Sequence, residues 1–490
     1  MKTSTPDMDK LFNPNSLALI GASGTPGKIG TTVLFCITGG QYKGKIYPIN
    51  PKETEIMGIK AYDKIGNVPD KVDLAIICVT ANLVPQIVEE CAEVGVKFGI
   101  VISSGFGEAS QEGKNIQQQI VQIARQKGMR LVGPNCMGVG SATSSLYASM
   151  NYTIPTHGGM SLVSQSGTMA TLISMGGSLE GIGTANYISS GNEADLHGGD
   201  FLRYYATDPQ TKVVVAFVEG VRDGQVFFEA SKQVTKHKPL IVLKGGATKA
   251  GAAAASSHTG SLAGSDKVFS AMCSQAGIVR VASTKQAVDL AKAFSLSPLP
   301  KGRKTAVVSA QGGLGVLMAD SCIQHGLELP DLSQETIEEL DTFLPYFWNR
   351  GNPVDVTGGV GDFREITKAL DIVLRQDDIH SAICLAPTFS SLFGPAASRM
   401  SETTQQVFRS MMAGGMAAME KNFTNDMIEI KAKHNKPIIG ISLLPASESE
   451  IKTTLESNGI PVYDTPDQIA YVLSKLADYR EYREKNGYGI

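Results

Sequence analysis

The chain has 490 residues, enough for roughly three domains at about 100 to 200 residues each. Lys and Arg number 44 against 47 Asp and Glu, a formal net charge of -3, so there is no positive surplus to neutralise a phosphate backbone and the balance argues against a nucleic-acid binder. Charged residues at 19%, hydrophobic residues at 42% and 52 glycines exclude a disordered, collagenous or coiled-coil chain and predict apolar cores joined by many tight turns.

Short β-branched runs alternate with longer amphipathic stretches throughout, the pattern of parallel strands wrapped by crossover helices, so the fold class is α/β. A first series of strands is predicted at 17–21, 45–49, 73–79, 98–103 and 130–132. A second follows at 160–163, 185–188, 213–218, 240–243 and 278–281. After the Pro-rich, basic passage SLSPLPKGRK a third series includes 305–309, 381–385 and 437–441. We therefore expect three doubly wound domains: a Rossmann-like domain over 1–150, a flavodoxin-like domain over 151–298, and a second flavodoxin-like domain with a C-terminal helix over 299–490.

Each series opens with an apolar strand that runs into a small-residue loop and a helix: LALIGASGTPGKIG, GMSLVSQSGTMATLI and TAVVSAQGGLGVLMAD. Such a turn presents free backbone N–H groups and the positive end of a helix dipole to an anion. In the first loop Gly21, Ser23, Gly24 and Gly27 lie where a dinucleotide fold places its glycines, but Ser23 replaces the second glycine of G-x-G-x-x-G. The second strand ends in Asn50, Pro51 and Lys52 rather than in the acidic residue that would accept the ribose 2′-hydroxyl of NAD. A lysine there suits a phosphorylated ribose, that of NADP or of coenzyme A.

In the second loop Ser164, Ser166, Gly167 and Thr168 offer hydroxyls and successive amides that could hold a phosphate without a charged side chain. The run VVVAFVEGVRD places Glu219 at the carboxyl end of a strand, the edge where ligands bind in open α/β sheets. The segment KGGATKAGAAAASSHTGSLAGSD surrounds one imidazole, His258, with small and polar residues. A neutral imidazole can attack phosphorus through one nitrogen if the other donates to a carboxylate that fixes the tautomer. Glu219 is the candidate carboxylate.

The motifs SSHTGSLAGSD, VEGVRD, SQSGT, SSGNEADLHGGD and GPNCMG together resemble the α subunit of the NDP-forming acyl-CoA synthetases, the ADP-forming acetate–CoA ligase group related to succinyl-CoA synthetase. The likeness runs from about residue 10 to 465. It implies that His258 is phosphorylated, that Glu219 pairs with it, and that Ser164, Ser166, Gly167 and Thr168 hold the phosphate. It implies that Gly21, Ser23, Gly24, Gly27 and Lys52 bind CoA, with Thr80, Ser103, Ser104 and Gly105 lining the same crevice. The implied activity converts acyl-CoA, phosphate and ADP reversibly to free acid, CoA and ATP through an acyl phosphate and a phosphohistidine. No ATP site is recognisable in the sequence, so the resemblance also implies an ATP-grasp β subunit carrying Mg²⁺ and ADP/ATP, in an α2β2 assembly.

Two other classes account for parts of the sequence. An NADP-dependent oxidoreductase would use the first loop and Lys52 but leaves the His258 segment without a purpose. A non-catalytic CoA-sensing module is opposed by the presence of both His258 and Glu219. The other six histidines have no metal-ligand spacing, and no metal site is expected. The seven cysteines are scattered without a C-x-x-C pair, which reads as reduced, buried thiols. Trp348 reads as a packing anchor. MKTSTPDMDKLF has no basic stretch followed by an apolar core, and no apolar run reaches the roughly 18 residues of a membrane span, so a cytoplasmic protein is expected.

Overall fold

The computed structural model describes residues 8–152, 154–253, 265–356, 363–385, 399–411, 415, 417–442 and 450–489. The chain divides into two compact units, Met1–Ala291 and Lys292–Ile490. Among the described residues the first unit holds two large sheets and a two-stranded hairpin, and the second unit one sheet.

The first sheet contains β1 (Ser16–Ile20), β2 (Lys45–Ile49), β5 (Leu74–Ile77), β6 (Phe98–Val101) and β7 (Arg130–Val132), in the order β2-β1-β5-β6-β7 and all parallel. A small hairpin of β3 (Glu55–Ile56) and β4 (Ile59–Lys60) follows β2. Every residue of β1, β5 and β6 is buried, because helices cover both faces of a parallel sheet and leave no side for polar alternation.

The second sheet contains β8 (Gly138–Ser141), β9 (Leu146–Ser149), β10 (His157–Ser164), β11 (Thr184–Ser189), β12 (Val213–Val218), β13 (Leu240–Lys244) and β14 (Val279–Val281), in the order β14-β13-β12-β10-β11-β8-β9. The hairpin β8–β9 joins antiparallel to β11, with Ser141 opposite Asn186. Residues 138–149, placed before 150 in the sequence reading, therefore hydrogen-bond into the second sheet. The first two sheets share one continuous core, in which Phe12 stacks on Tyr204 with ring centroids 4.7 Å apart. Asp195, its side chain fully buried, accepts from Arg125 Nε (2.6 Å), Arg130 Nε (2.8 Å) and the Leu131 amide (2.8 Å), which fixes the segment after β11 against the end of the first sheet.

The second unit has β15 (Thr305–Ser309), β16 (Val354–Asp355), β17 (Ser381–Leu385), β18 (Ile438–Ile441) and β19 (Val462–Tyr463), in the order β16-β15-β17-β18-β19, all parallel. Trp348 is buried in its core and donates its indole N–H to Asp341 Oδ1 at 2.6 Å. The C-terminal helix Pro466–Lys485 starts at Thr465, whose hydroxyl accepts from the Gln468 amide, with Pro466 where no amide partner is needed.

All three parallel sets have one strand order. The first strand lies between the second and the third, so the chain leaves it once in each direction. In the first two sheets the loops after the first and third strands diverge at that reversal and open a crevice at the carboxyl edge. No helix among the described residues is long and apolar enough to cross a membrane.

Candidate functional site

In the second sheet the reversal lies between β10 and β12, which brings the S-Q-S-G-T turn beside the E-G-V-R-D turn. Gln165 joins them. Its Oε1 accepts from the Glu219 amide at 2.6 Å and the Gly220 amide at 3.0 Å, and its Nε2 donates to the Gly220 carbonyl at 2.8 Å and to Glu193 Oε2 at 3.0 Å. Ser164 is fully buried, and its hydroxyl donates to the Ser166 carbonyl at 2.6 Å, so it shapes the turn from inside. Ser166 is the N-cap of the helix Gly167–Leu179, accepting from the Met169 amide, while Thr168 is exposed in the first turn. Gly167 packs directly under Met137, and a Cβ at that position would overlap the Met137 side chain.

Glu219 is half-buried at the end of β12. Its carbonyl accepts from Lys244 Nζ at 2.7 Å, and Lys244 also donates to the Gly245 carbonyl. Burial lowers the Lys244 ammonium from its ordinary value, against the nearby charge of Asp266. A groove of about 610 Å³ begins at Gly220 and Val221 and runs between the helices Gly224–Thr235 and Asp266–Ala276, lined by Phe228, Lys244, Phe269 and Met272. His258 lies outside the described residues, within the stretch 254–264.

In the first sheet the reversal lies between β1 and β5. Gly21 has φ +82°, and a Cβ there would stand 2.5 Å from the Cys78 carbonyl oxygen, so only glycine lets β1 turn this close to the end of β5. The Ser23 hydroxyl is buried and accepts from the Thr25 amide at 3.1 Å, and the Thr31 hydroxyl donates to the Ser23 carbonyl at 2.8 Å. Gly24 and Gly27 are exposed between this turn and the helix Ile29–Gly39. Asn50 Nδ2 donates to the Ala22 carbonyl at 2.8 Å while its Oδ1 accepts from the Lys52 amide at 2.8 Å, which sets the exposed Lys52 beside the glycine loop.

The remaining sequence-derived candidates stand on the same edge. Thr80 is exposed after β5. Ser103 is buried and donates its hydroxyl to the Val79 carbonyl, tying the ends of β5 and β6 together, whereas Ser104 and Gly105 are exposed. The amides of Gly105 and Phe106 donate to Glu108 Oε1 at 2.7 and 3.1 Å.

The structure thus brings together Ser164, Ser166, Gly167, Thr168 and Glu219 at one crevice, and Gly21, Ser23, Gly24, Gly27, Lys52, Thr80, Ser103, Ser104 and Gly105 along another edge of the same unit. Sequence reasoning passed over Gln165, Glu193 and Lys244. Glu193 is buried at φ +52°, and its carboxylate accepts from Ser190 Oγ at 2.8 Å and from the Gly198 amide at 3.2 Å as well as from Gln165. Burial pushes the Glu193 carboxyl up, against the Gln165 and Ser190 hydrogen bonds and the His197 and Arg222 charges. The signal available in the sequence was an acidic residue inside a Gly/Ser/Asn turn, where a charge needs a partner.

Comparison with known proteins places family models on all three segments: a CoA binding domain over residues 15–142, a succinyl-CoA ligase like flavodoxin domain over 157–294, and a ligase-CoA domain over 305–424. The chain is 38% identical over 469 residues to the alpha subunit of acetate–CoA ligase [ADP-forming] II of Pyrococcus furiosus, covering 94% of this chain and 96% of that one. It is 37% identical over 486 residues to the alpha subunit of form I from the same organism, covering 98% and 99%. The dinucleotide-forming acetyl-coenzyme A synthetase 1 of Ca. Korarchaeum cryptofilum, solved with phosphate and ADP, superimposes with a TM-score of 0.86 at 31% identity over 99% of each chain.

Proposed function

Because this chain belongs to the α subunits of the ADP-forming acetate–CoA ligases, we propose that it converts acyl-CoA, phosphate and ADP reversibly to free acid, CoA and ATP, together with an ATP-grasp β subunit. The observation that carries the site assignment is Gln165, whose carboxamide binds the phosphate turn to the backbone of Glu219.

Phosphate sits at the turn Ser164, Ser166, Gly167 and Thr168, where the N-terminus of the helix Gly167–Leu179 offers amides and a positive dipole end. A phosphate oxygen attacks the thioester carbonyl, the C–S bond breaks, and the CoA thiolate leaves an acyl phosphate. One His258 nitrogen then attacks phosphorus, the P–O bond to the acyl group breaks, and the free carboxylate departs. Glu219 accepts a hydrogen bond from the N–H of the other ring nitrogen, which holds the tautomer and stabilises the charge that develops on the ring. The terminal phosphate oxygen of ADP finally takes the phosphoryl group from His258. Such transfers depend mainly on positioning and on fixed dipoles, which suits the helix-leading turn Ser164–Thr168, where no side chain is charged.

CoA occupies the edge lined by Gly21, Ser23, Gly24, Gly27, Lys52, Thr80, Ser103, Ser104 and Gly105. The exposed ammonium of Lys52 fits a ribose phosphate, and the Asn50 contacts that place it beside the glycine loop support this fit. Mg²⁺ and ADP/ATP belong to the β subunit, and the assembly is α2β2 and cytoplasmic. The relatives' designation as alpha subunits supports a second subunit.

A partial reaction tests the reading. Incubated with acetyl-CoA and labelled phosphate, the chain should acquire an acid-labile label that His258→Ala abolishes and Glu219→Gln reduces by about a hundredfold, the scale of a lost positioned group. Labelling that survives His258→Ala, or its absence across a broad acyl-CoA panel, would overturn the proposal.

A further inference from the structure

Asn192 and Glu193 follow one another in the turn after β11, yet their side chains go to different places. Asn192 Nδ2 donates to Glu108 Oε2 at 2.5 Å and to Gln117 Oε1 at 2.9 Å, and its Oδ1 accepts from Asn135 Nδ2 at 3.3 Å. Glu108 is the carboxylate that receives the Gly105 and Phe106 amides on the edge of the first sheet. Glu193, one residue on, points to Ser190 and Gln165 at the phosphate turn, and the Ser190 amide donates to the Ser164 carbonyl at 2.8 Å. The backbone between the two is pinned as well: the Asn192 amide donates to the Pro134 carbonyl at 2.9 Å, and the Asn192 carbonyl accepts from the Arg222 guanidinium of the E-G-V-R-D turn.

The left-handed backbone of Glu193 helps to divide the directions of these side chains. Glycine or asparagine would adopt φ +52° more cheaply than a glutamate, so the residue is held there by its carboxylate contacts. Glu193 is buried with partners on both oxygens, and Asn192 uses both ends of its carboxamide. The peptide link between Asn192 and Glu193 thus joins two sets of direct hydrogen bonds, one running from Asn192 through Glu108 to the Gly105 amide and the other from Glu193 through Gln165 to the amides of Glu219 and Gly220.

We propose that Asn192 and Glu193 are positioning residues that link occupancy of the CoA edge to occupancy of the phosphate turn, an inference that rests on the ligase reading above. The linkage has a physical origin in competition. An anionic group of CoA that approaches Gly105 and Phe106 meets amides already taken by Glu108. Displacing that carboxylate removes one of the two acceptors of Asn192 Nδ2 and alters the restraint on the turn whose next side chain supports Gln165. CoA therefore binds two arrangements of the turn with unequal affinity, and phosphate does the same. Linkage of this kind is reciprocal.

Calorimetric titration of the full chain with inorganic phosphate, in the absence and presence of saturating CoA, measures it. The parent should show a phosphate affinity that CoA changes by about fivefold or more. The factor should fall below about twofold, on that same scale, in Asn192→Ala and in Asn192→Asp, the second of which keeps the shape but sets a like charge against Glu108. Glu193→Gly tests the other half, because it eases the backbone while removing the carboxylate, and it should lose the linkage too. Thermal melts identify which variants are folded, and the ratio of affinities is read only on those. A folded variant with the parent's factor, or a parent that binds both ligands independently, overturns the inference. Failure of the parent to bind either ligand instead overturns the ligase reading and this inference with it.

Discussion

Gln165 pairs with Gly220 through both halves of its carboxamide, accepting from the Gly220 amide at 3.0 Å and donating to the Gly220 carbonyl at 2.8 Å. A side chain here replaces a neighbouring strand: it satisfies the first backbone groups beyond the end of β12, where the ladder to β10 has run out. The same oxygen receives the Glu219 amide, so the position of the site carboxylate is set from the phosphate turn itself.

Replacing Gln165 with leucine keeps the volume and removes these bonds. The Glu219 and Gly220 amides and the buried Glu193 oxygen lose a partner each, and unmet buried groups cost about 1 to 3 kcal/mol apiece, part of which water recovers at this half-open crevice. We expect a drop of about 2 to 4 kcal/mol in unfolding free energy by urea denaturation, and labelling of His258 slower by about a hundredfold, since misplacement near 1 Å costs that much. A labelling rate equal to the parent's would remove Gln165 from the site.

Gly21→Ala places a Cβ 2.5 Å from the Cys78 carbonyl oxygen at a residue with φ +82°. The left-handed backbone alone costs about 1 to 2 kcal/mol with a side chain present, and the contact forces β1 away from β5. CoA binding by calorimetry should weaken at least tenfold, with phosphate binding in the absence of CoA little changed. Equal losses for both ligands would mean that the damage is general rather than local to the first loop.

The Glu193 carboxyl is pushed up by burial, so the fold favours its protonated form. A group raised in this way contributes stability that is complete below the unfolded glutamate value of about 4.3 and is lost as pH rises through the higher folded value. Relative to Glu193→Gln, which cannot ionise, the parent should therefore be most stable at the acid end and lose ground as pH rises. Urea midpoints for the two proteins from pH 4.5 to 8 test the sign. A difference that is flat, or that grows in the parent's favour with pH, would contradict it.

Lys292 is a buried cation in the second unit, bonded to Glu456 Oε1 at 2.8 Å and to the Val462 carbonyl at 2.8 Å, with its ammonium 4.3 Å from the centroid of the Tyr463 ring. Lys292→Met leaves Glu456 without its cation, and breaking such a buried pair costs about 3 to 5 kcal/mol. The double change Lys292→Met with Glu456→Leu should recover most of that loss, because the pair as a whole contributes little against apolar replacements of similar size. Thermal or chemical unfolding of the three proteins gives the comparison directly.

Most of the strand framework could be read directly from the residues. Runs such as LALI, LAII and VVVAFV are apolar on both faces because the sheets are covered on both sides, and every one lies where its composition puts it. What escaped were elements too short to show a period: the strands Val354–Asp355 and Val462–Tyr463, and the hairpin of GVGS and LYAS, whose pairing to β11 depends on partners far along the chain. At the site, glycines and hydroxyls in strand-to-helix turns announced themselves, since that geometry is local. Gln165 did not, because a glutamine between two serines has no chemistry of its own until topology brings Glu219 beside it. Lys244 ends a strand like many surface lysines and is distinguished only by the carbonyls that converge on its ammonium.

The common strand order puts the loops after the first and third strands of the first two sheets on one rim, with the apolar interior behind them. Gly21 and Gln165 stand in crossings that follow a first strand and Glu219 in one that follows a third, so a library meant to keep the chemistry would leave those crossings unchanged and place its variation elsewhere on the surface.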